Sequence, residues 1–187
     1  MSSDLDRSLR RLRTEKKQER LRPRKESDLP FLDSLGQRPK SLLYDTTVYV
    51  DVLQGRFPLS GEVVLRASDA WHSTVAESEL AALCGVLDPK HPGTHTVIDE
   101  IKSLIARVPS HRTLAPDRKI WLEAGILAGM FARLRGIVKN ERRRILSDAL
   151  IFTTARWYGH TVLTRNVVDF DLLQQLDVSG KVLFYRI

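Results

Sequence analysis

The segment from Ser147 to Phe170 constrains this chain most. It reads as a helix, a tight stop, a short strand and a polar turn. Ser147 suits an N-cap, because its hydroxyl can accept an otherwise unpaired amide of the first turn. Asp148 then falls at the first helical position, where the helix dipole favours a carboxylate. Ala149, Ile151, Phe152, Ala155 and Tyr158 recur three or four apart, as a largely buried helix requires. Gly159 is placed to end that helix in the left-handed conformation. Thr161-Val162-Leu163 is short, apolar and β-branched, like a buried parallel strand. Thr164-Arg165-Asn166 closes the strand, and Asp169 follows. Polar groups at the carboxyl end of a strand are where α/β sheets place their active sites.

The length of 187 residues suits one ordinary domain plus an extension, and 42% hydrophobic content supports a sizeable core. Cys84 is the only cysteine, which excludes an internal disulfide and any multi-cysteine metal site. No apolar run approaches the roughly 18 residues of a membrane helix, and no apolar signal core follows Met1. A cytoplasmic setting without membrane contact is expected. The formal net charge of +7 is uneven: residues 1–40 hold 12 Lys+Arg against 7 Asp+Glu, and the rest hold 18 against 16. A basic arm on a near-neutral body suits a polyanion such as nucleic acid, or is a solvated tail.

Leu5, Leu9, Leu12 and Leu21 make a thin apolar stripe, so residues 1–25 read as a mobile or partner-dependent helix. Pro23, Pro30, Gly36 and Pro39 mark 23–40 as linker. The division expected is an arm and linker over 1–40, partly helical or disordered, and a domain over 41–187. Ser41-Leu42-Leu43-Tyr44 reads as a strand ended by Asp45-Thr46-Thr47, with a helix over Val48 to Leu53 despite its β-branched residues. Gly61 to Asp69 is a short helix or an irregular connection. Trp71 to Val75 opens a second strand-to-helix unit, with a helix over Glu77 to Leu83. Further helices are expected over Thr96–Val108, Asp117–Arg135 and Phe170–Leu176. Arg112-Thr113-Leu114 reads as a short strand or extended piece, and Lys181 to Ile187 as a last strand at a sheet edge. Strands alternating with helices define an α/β fold with a mainly parallel sheet.

Asp45, Glu79 and Asp148 each adjoin an apolar run, and Asp169 with Asn166 follows another. Singly, each acid reads as a cap or a solvated helix residue. Together they suggest paired or metal-bound carboxylates, since an isolated charge beside a core is costly. Leu42 to Val48, Ser73 to Leu80, Asp148 to Ile151 and Thr164 to Phe170 resemble the four acidic motifs of PIN domains, most closely those of VapC-type toxin ribonucleases. The resemblance covers about residues 41–187 and leaves the arm outside.

That resemblance implies an α/β/α sandwich, bound Mg²⁺ or Mn²⁺, cleavage of RNA phosphodiesters, a protein antitoxin and a homodimer. It assigns Asp45, Glu79 and Asp148 to the metal, with Glu77 competing with Glu79. Asn166 stands where similar chains often carry Asp, so the fourth position is Asn166, Asp169 or both. Thr47 and Thr164 match supporting hydroxyls. Carboxylate oxygens suit hard cations on chemical grounds too. Arg165, Arg142, Arg143 and Arg144 are candidates to hold RNA phosphates, the triple run being otherwise a solvated loop. Asn166 in place of an acid motivates a second reading, a non-catalytic RNA-binding or scaffold protein. The five His residues show no zinc spacing, and no Gly-rich phosphate loop is present.

Overall fold

The structure, a computed structural model, describes residues 3–34, 39–136 and 142–187. Five strands form one parallel sheet: β1 (Ser41–Tyr44), β2 (Asp69–Ser73), β3 (Thr113–Leu114), β4 (Thr161–Thr164) and β5 (Lys181–Phe184). Their order across the sheet is β3-β2-β1-β4-β5. The chain therefore runs outward from β1 to β3, then returns to the other side of β1. Ligand crevices of open α/β sheets form at such a reversal. Leu43 pairs with Trp71 on one side and with Val162 on the other. Leu42, Leu43, Tyr44 and all of β4 are buried, so both faces of the central strands are covered, as in parallel sheets flanked by helices. This is the expected α/β fold.

The helices are α1 (Asp4–Leu12), α2 (Thr46–Leu53), α3 (Leu59–Ala67), α4 (Thr74–Val86), α5 (Thr94–Arg107), α6 (Arg118–Arg135), α7 (Arg142–Tyr158) and α8 (Val167–Leu176). Most match their expected positions, and the connection expected from Gly61 is helical as far as Ala67. Asp117 caps α6 by accepting from the amides of Lys119 and Ile120. Gly159, at φ +76°, ends α7 as its place in the sequence suggests. Helix α4 starts at Thr74, earlier than expected, because Ser73 caps it.

Two differences matter. Ser147 is not a cap. Helix α7 runs back to Arg142, so Ser147 and Asp148 lie in its second turn. Arginine is a strong helix former, and the basic run continues the helix rather than breaking it. Asp148 therefore lies too far along the helix to gain from the dipole at its start. The arm, partly helical as expected over α1, also packs against the domain. Leu12, Leu29, Phe31 and Leu32 join the core, each buried side chain contributing about 2 kcal/mol.

Polar anchors add to this. Arg11 reaches Glu123 at 3.1 Å and Asp177 at 2.8 Å. Lys17 donates to the carbonyls of Gln175 and Leu176 at the end of α8. Arg24 meets the fully buried Asp171 at 2.6 Å. Strand β5 lies at the sheet edge as expected, but Phe31 forms a parallel bridge to Phe184, whose amide donates to the Pro30 carbonyl. The arm thus covers part of the edge, which limits pairing with other chains.

Candidate active site

The carboxyl ends of β1, β2 and β4 share one edge of the sheet. Asp45 follows β1 at the start of α2, and only 3% of it is exposed. Its Oδ2 accepts from the hydroxyls of Thr47 and Thr164, both at 2.7 Å. Glu79, on α4 after β2, accepts from the Thr46 hydroxyl. Asp148, on α7, accepts from the Asn166 side-chain amide at 3.3 Å. The same amide reaches Asp169 at 3.0 Å, and Arg144 reaches Asp169 at 2.8 Å. Asn166 also caps α8, its side-chain oxygen accepting from the Asp169 backbone amide. One residue thereby links the third and fourth acids, where a carboxylate would add a further repulsion.

The charges of Asp45, Asp169 and Glu79 all act on Asp148. Burial raises the Asp148 carboxyl well above the ordinary range, and Asp45, Asp169 and Glu79 push it further; Arg144 opposes them. Burial also raises Asp45, the Thr164 and Thr47 hydroxyls oppose it, and Glu79 adds to it. Glu79 acts on both Asp45 and Asp148, whereas Glu77 acts on Tyr49. Of the two competing glutamates, the structure brings Glu79 to the other acids.

Among the described residues, no three His, Cys, Asp or Glu side chains are arranged, as they stand, to close on a metal ion. The acids are instead satisfied by Thr46, Thr47, Thr164, Asn166 and Arg144. The donor set still fits a hard divalent cation: every donor is oxygen, and the other three acids disfavour the charge on Asp148. Asp45, Glu79, Asp148 and Asp169 would hold it by exchanging these hydrogen bonds for metal bonds, and Asn166 carries a further oxygen.

The basic candidates divide. Arg144 is exposed except for its pairing with Asp169. The side chains of Arg142 and Arg143 lie outside the described residues. Arg165 is engaged inside the protein: its Nε meets Asp51 Oδ2 at 2.7 Å and its Nη2 meets Oδ1 at 3.2 Å. Sequence reasoning misses Asp51, whose position inside an apolar helical run is the available signal. A groove of about 790 Å³ beside α5 is lined by residues including Tyr49, Leu53, His72 and Leu104. It contains none of the four acids, so the chemistry points to the sheet edge and not to this groove.

Comparison with solved structures supports the same architecture. A chain of the Rickettsia felis VapBC2 complex with a promoter DNA fragment aligns over 78% of this chain and 98% of its own, at 15% identity and a TM-score of 0.54. A chain of DNA-bound VapBC from Salmonella typhimurium covers 78% and 97%, at 17% identity and 0.54. FitAcB from Neisseria gonorrhoeae covers 76% and 96%, at 22% identity and 0.52. The fold is thus a PIN-like α/β fold with a five-stranded parallel sheet, similar to that of the chains aligned from these complexes. No protein-family model matches the chain, and no curated protein matches its sequence.

Proposed function

We propose that this protein is a metal-dependent endoribonuclease, acting in the cytoplasm as the toxin of a toxin–antitoxin pair. The observation that carries this reading is the convergence of Asp45, Glu79, Asp148 and Asp169 at the reversal point of a parallel sheet. A buried carboxylate such as Asp148, whose ionisation three other acids oppose, is unfavourable unless a cation joins them. Bound Mg²⁺ or Mn²⁺ would supply an activated water and neutralise charge on the phosphodiester. The protein's own share is to hold that ion through these acids, with Thr47 and Thr164 orienting Asp45. Arg144, at the rim, can face a phosphate of single-stranded RNA. The structural neighbours are toxin–antitoxin complexes of similar fold, which supports a protein antitoxin as partner. A homodimer rests on the resemblance alone.

The test is cleavage of single-stranded RNA with Mg²⁺ or Mn²⁺, with EDTA as control. Asp148→Asn is expected to lower turnover at least about a hundredfold, corresponding to some 2.7 kcal/mol of lost transition-state stabilisation. Asn keeps the shape and loses the charge. Binding of RNA by the wild type without cleavage under any metal condition would favour the non-catalytic RNA-binding reading, which Asn166 and the Arg144 pairing of Asp169 support.

A further inference from the structure

Asp51 sits on α2 beyond Asp45, and its carboxylate is completely enclosed. Four donor atoms converge on it. Arg165 meets it with two nitrogens, the Tyr185 hydroxyl donates to Oδ2 at 2.7 Å, and Arg56 reaches Oδ1 at 3.1 Å. A two-pronged guanidinium–carboxylate pair fixes direction as well as distance. What it fixes here is the turn after β4. Arg165 stands between Thr164 and Asn166, the residues that contact Asp45, Asp148 and Asp169.

The backbone of this turn is tied to the same network. The Arg165 amide donates to the Thr47 hydroxyl at 3.1 Å, and that hydroxyl donates to Asp45. The Asn166 backbone amide donates to the Thr164 hydroxyl at 2.9 Å, which also donates to Asp45. The Tyr185 amide donates to the Thr164 carbonyl, so Tyr185 holds the turn with its backbone and Asp51 with its ring hydroxyl. Asp51 is therefore the point at which α2, the β4–α8 turn and the end of β5 are joined. One half of the acidic site hangs from α2 and the other from the turn.

We propose that Asp51, Arg165 and Tyr185 form a positioning clamp that sets the Asp45 half of the site against the Asn166–Asp169 half. The clamp's effect on metal rests on the metal-dependent reading above. It gives Arg165 a role different from phosphate contact: it acts through Thr164 and Asn166. Residues that orient metal-binding groups in this way typically change metal affinity or activity by about ten- to a hundredfold when replaced.

The test uses the full-length chain and four proteins: wild type, Asp51→Asn, Arg165→Lys and the double variant. Lysine keeps the positive charge and loses the fork. Three measurements are made: Mn²⁺ affinity by calorimetry, kcat and KM on single-stranded RNA, and amide exchange of Arg165 and Asn166 in EDTA. Each single variant is expected to weaken Mn²⁺ binding and lower kcat by about ten- to a hundredfold, with KM within about threefold. The double variant should be little worse than Asp51→Asn alone, because the Arg165 pairing is already weakened there. Exchange at Arg165 and Asn166 should quicken at least about tenfold while Val162 and Leu163 in β4 keep their protection.

Unchanged Mn²⁺ affinity and unchanged exchange at the turn in both variants would overturn the clamp. If Arg165→Lys kept wild-type Mn²⁺ affinity and turn exchange and raised only KM, phosphate contact would be the role of Arg165. The exchange arm needs no metal. If the wild type bound no Mn²⁺ and cut no RNA, the nuclease reading would fall, while quickened exchange would still establish the clamp as a structural junction.

Discussion

The acidic site at the sheet edge and the lock between the arm and the body both bury carboxylates, yet they treat the charge in opposite ways. In the lock, Glu123 accepts from Ser8, Arg11, Arg156 and the Trp157 indole. Asp177 accepts from Arg11 at 2.8 Å and from the Ser179 hydroxyl at 2.6 Å. Burial pushes the Asp177 carboxyl up, but Ser179 and Arg11 outweigh it and hold it below the ordinary value. In the site, the neighbours of Asp148 are chiefly other acids, and its carboxyl is raised. One cluster is charge-compensated within the chain. The other keeps its charge in excess, even with Arg144 opposing it at Asp148. An arrangement that is costly for the fold at one place and avoided at another argues for a purpose outside folding.

The most forceful way to break this contrast is to remove the central acid of the lock. Glu123→Ala leaves Arg156 buried with one acidic partner in place of two. Loss of one member of a buried ion pair costs roughly 3 kcal/mol or more. Urea unfolding should show that loss. A change below about 1 kcal/mol would mean that Glu123 adds little to the hold on the arm, leaving it to the apolar contacts and to anchors such as Arg24 with Asp171.

Acidification should separate the two clusters by sign. The raised folded values of Asp45 and Asp148 mean that the native state binds those protons more tightly than the unfolded chain does. Their penalty is present at neutral pH and is relieved as pH falls through the folded values. Asp177 is lowered, so its stabilising contribution is present above the unfolded value and lost as pH falls through the folded one. The acidic site thus contributes a gain in stability on mild acidification and Asp177 a loss at lower pH, while His72 and His160, both lowered by burial, oppose the gain as they take up protons. In Glu123→Ala, where Asp177 faces both arginines alone, the low-pH loss should remain. The site is therefore read from the difference between wild type and Asp148→Asn without metal: the variant's advantage should shrink as pH falls, and a difference that does not change with pH would contradict the raised value of Asp148.

A smaller effect concerns the outer face of the arm. Arg11, Lys17 and Arg24 are engaged in anchoring. Arg13, Lys16, Arg20, Arg22 and Lys25 are exposed, and their side chains make no ion pair among the described residues. Replacing these five with Gln should flatten the salt dependence of RNA affinity by about 0.7 for each phosphate that the wild-type arm neutralises. An identical slope would show that the arm serves folding and not RNA. Deleting the arm would not answer the question, because the deletion also opens the core around Phe31 and Leu32.

What the sequence reveals and what it hides follow from the range of the forces involved. The strands at Leu42-Leu43-Tyr44 and Val162-Leu163 are legible because burial on both faces leaves an unbroken apolar run. Gly159 is legible because capping is local chemistry, whereas Asp117, read as the first helical residue, proves to be the cap of α6. The start of α7 misleads because Ser147-Asp148 before an apolar run imitates a cap, and only the continuing helix through Arg144 tells otherwise. The docking of the arm is hidden because its stripe of leucines is thin. Its remaining hold comes from pairs such as Arg11 with Asp177 and Arg24 with Asp171, separated by more than a hundred positions. Arg165 reads as a phosphate ligand for the same reason: its partner Asp51 lies 114 residues away in the chain.

The claim that the four acids form one cation site is tested most directly by thermal unfolding of the wild type and Asp148→Asn, in EDTA and across a Mn²⁺ titration. In EDTA the variant should melt higher than the wild type, by an amount equivalent to about 1 kcal/mol, because one repelling charge is gone while the Asn166 hydrogen bond can remain. Mn²⁺ should stabilise the wild type by about 2.7 kcal/mol at a hundredfold excess over Kd and the variant far less. A variant that melts lower in EDTA, together with equal Mn²⁺ shifts in both proteins, would show that Asp148 is a structural acid and that the carboxylates do not act as one site.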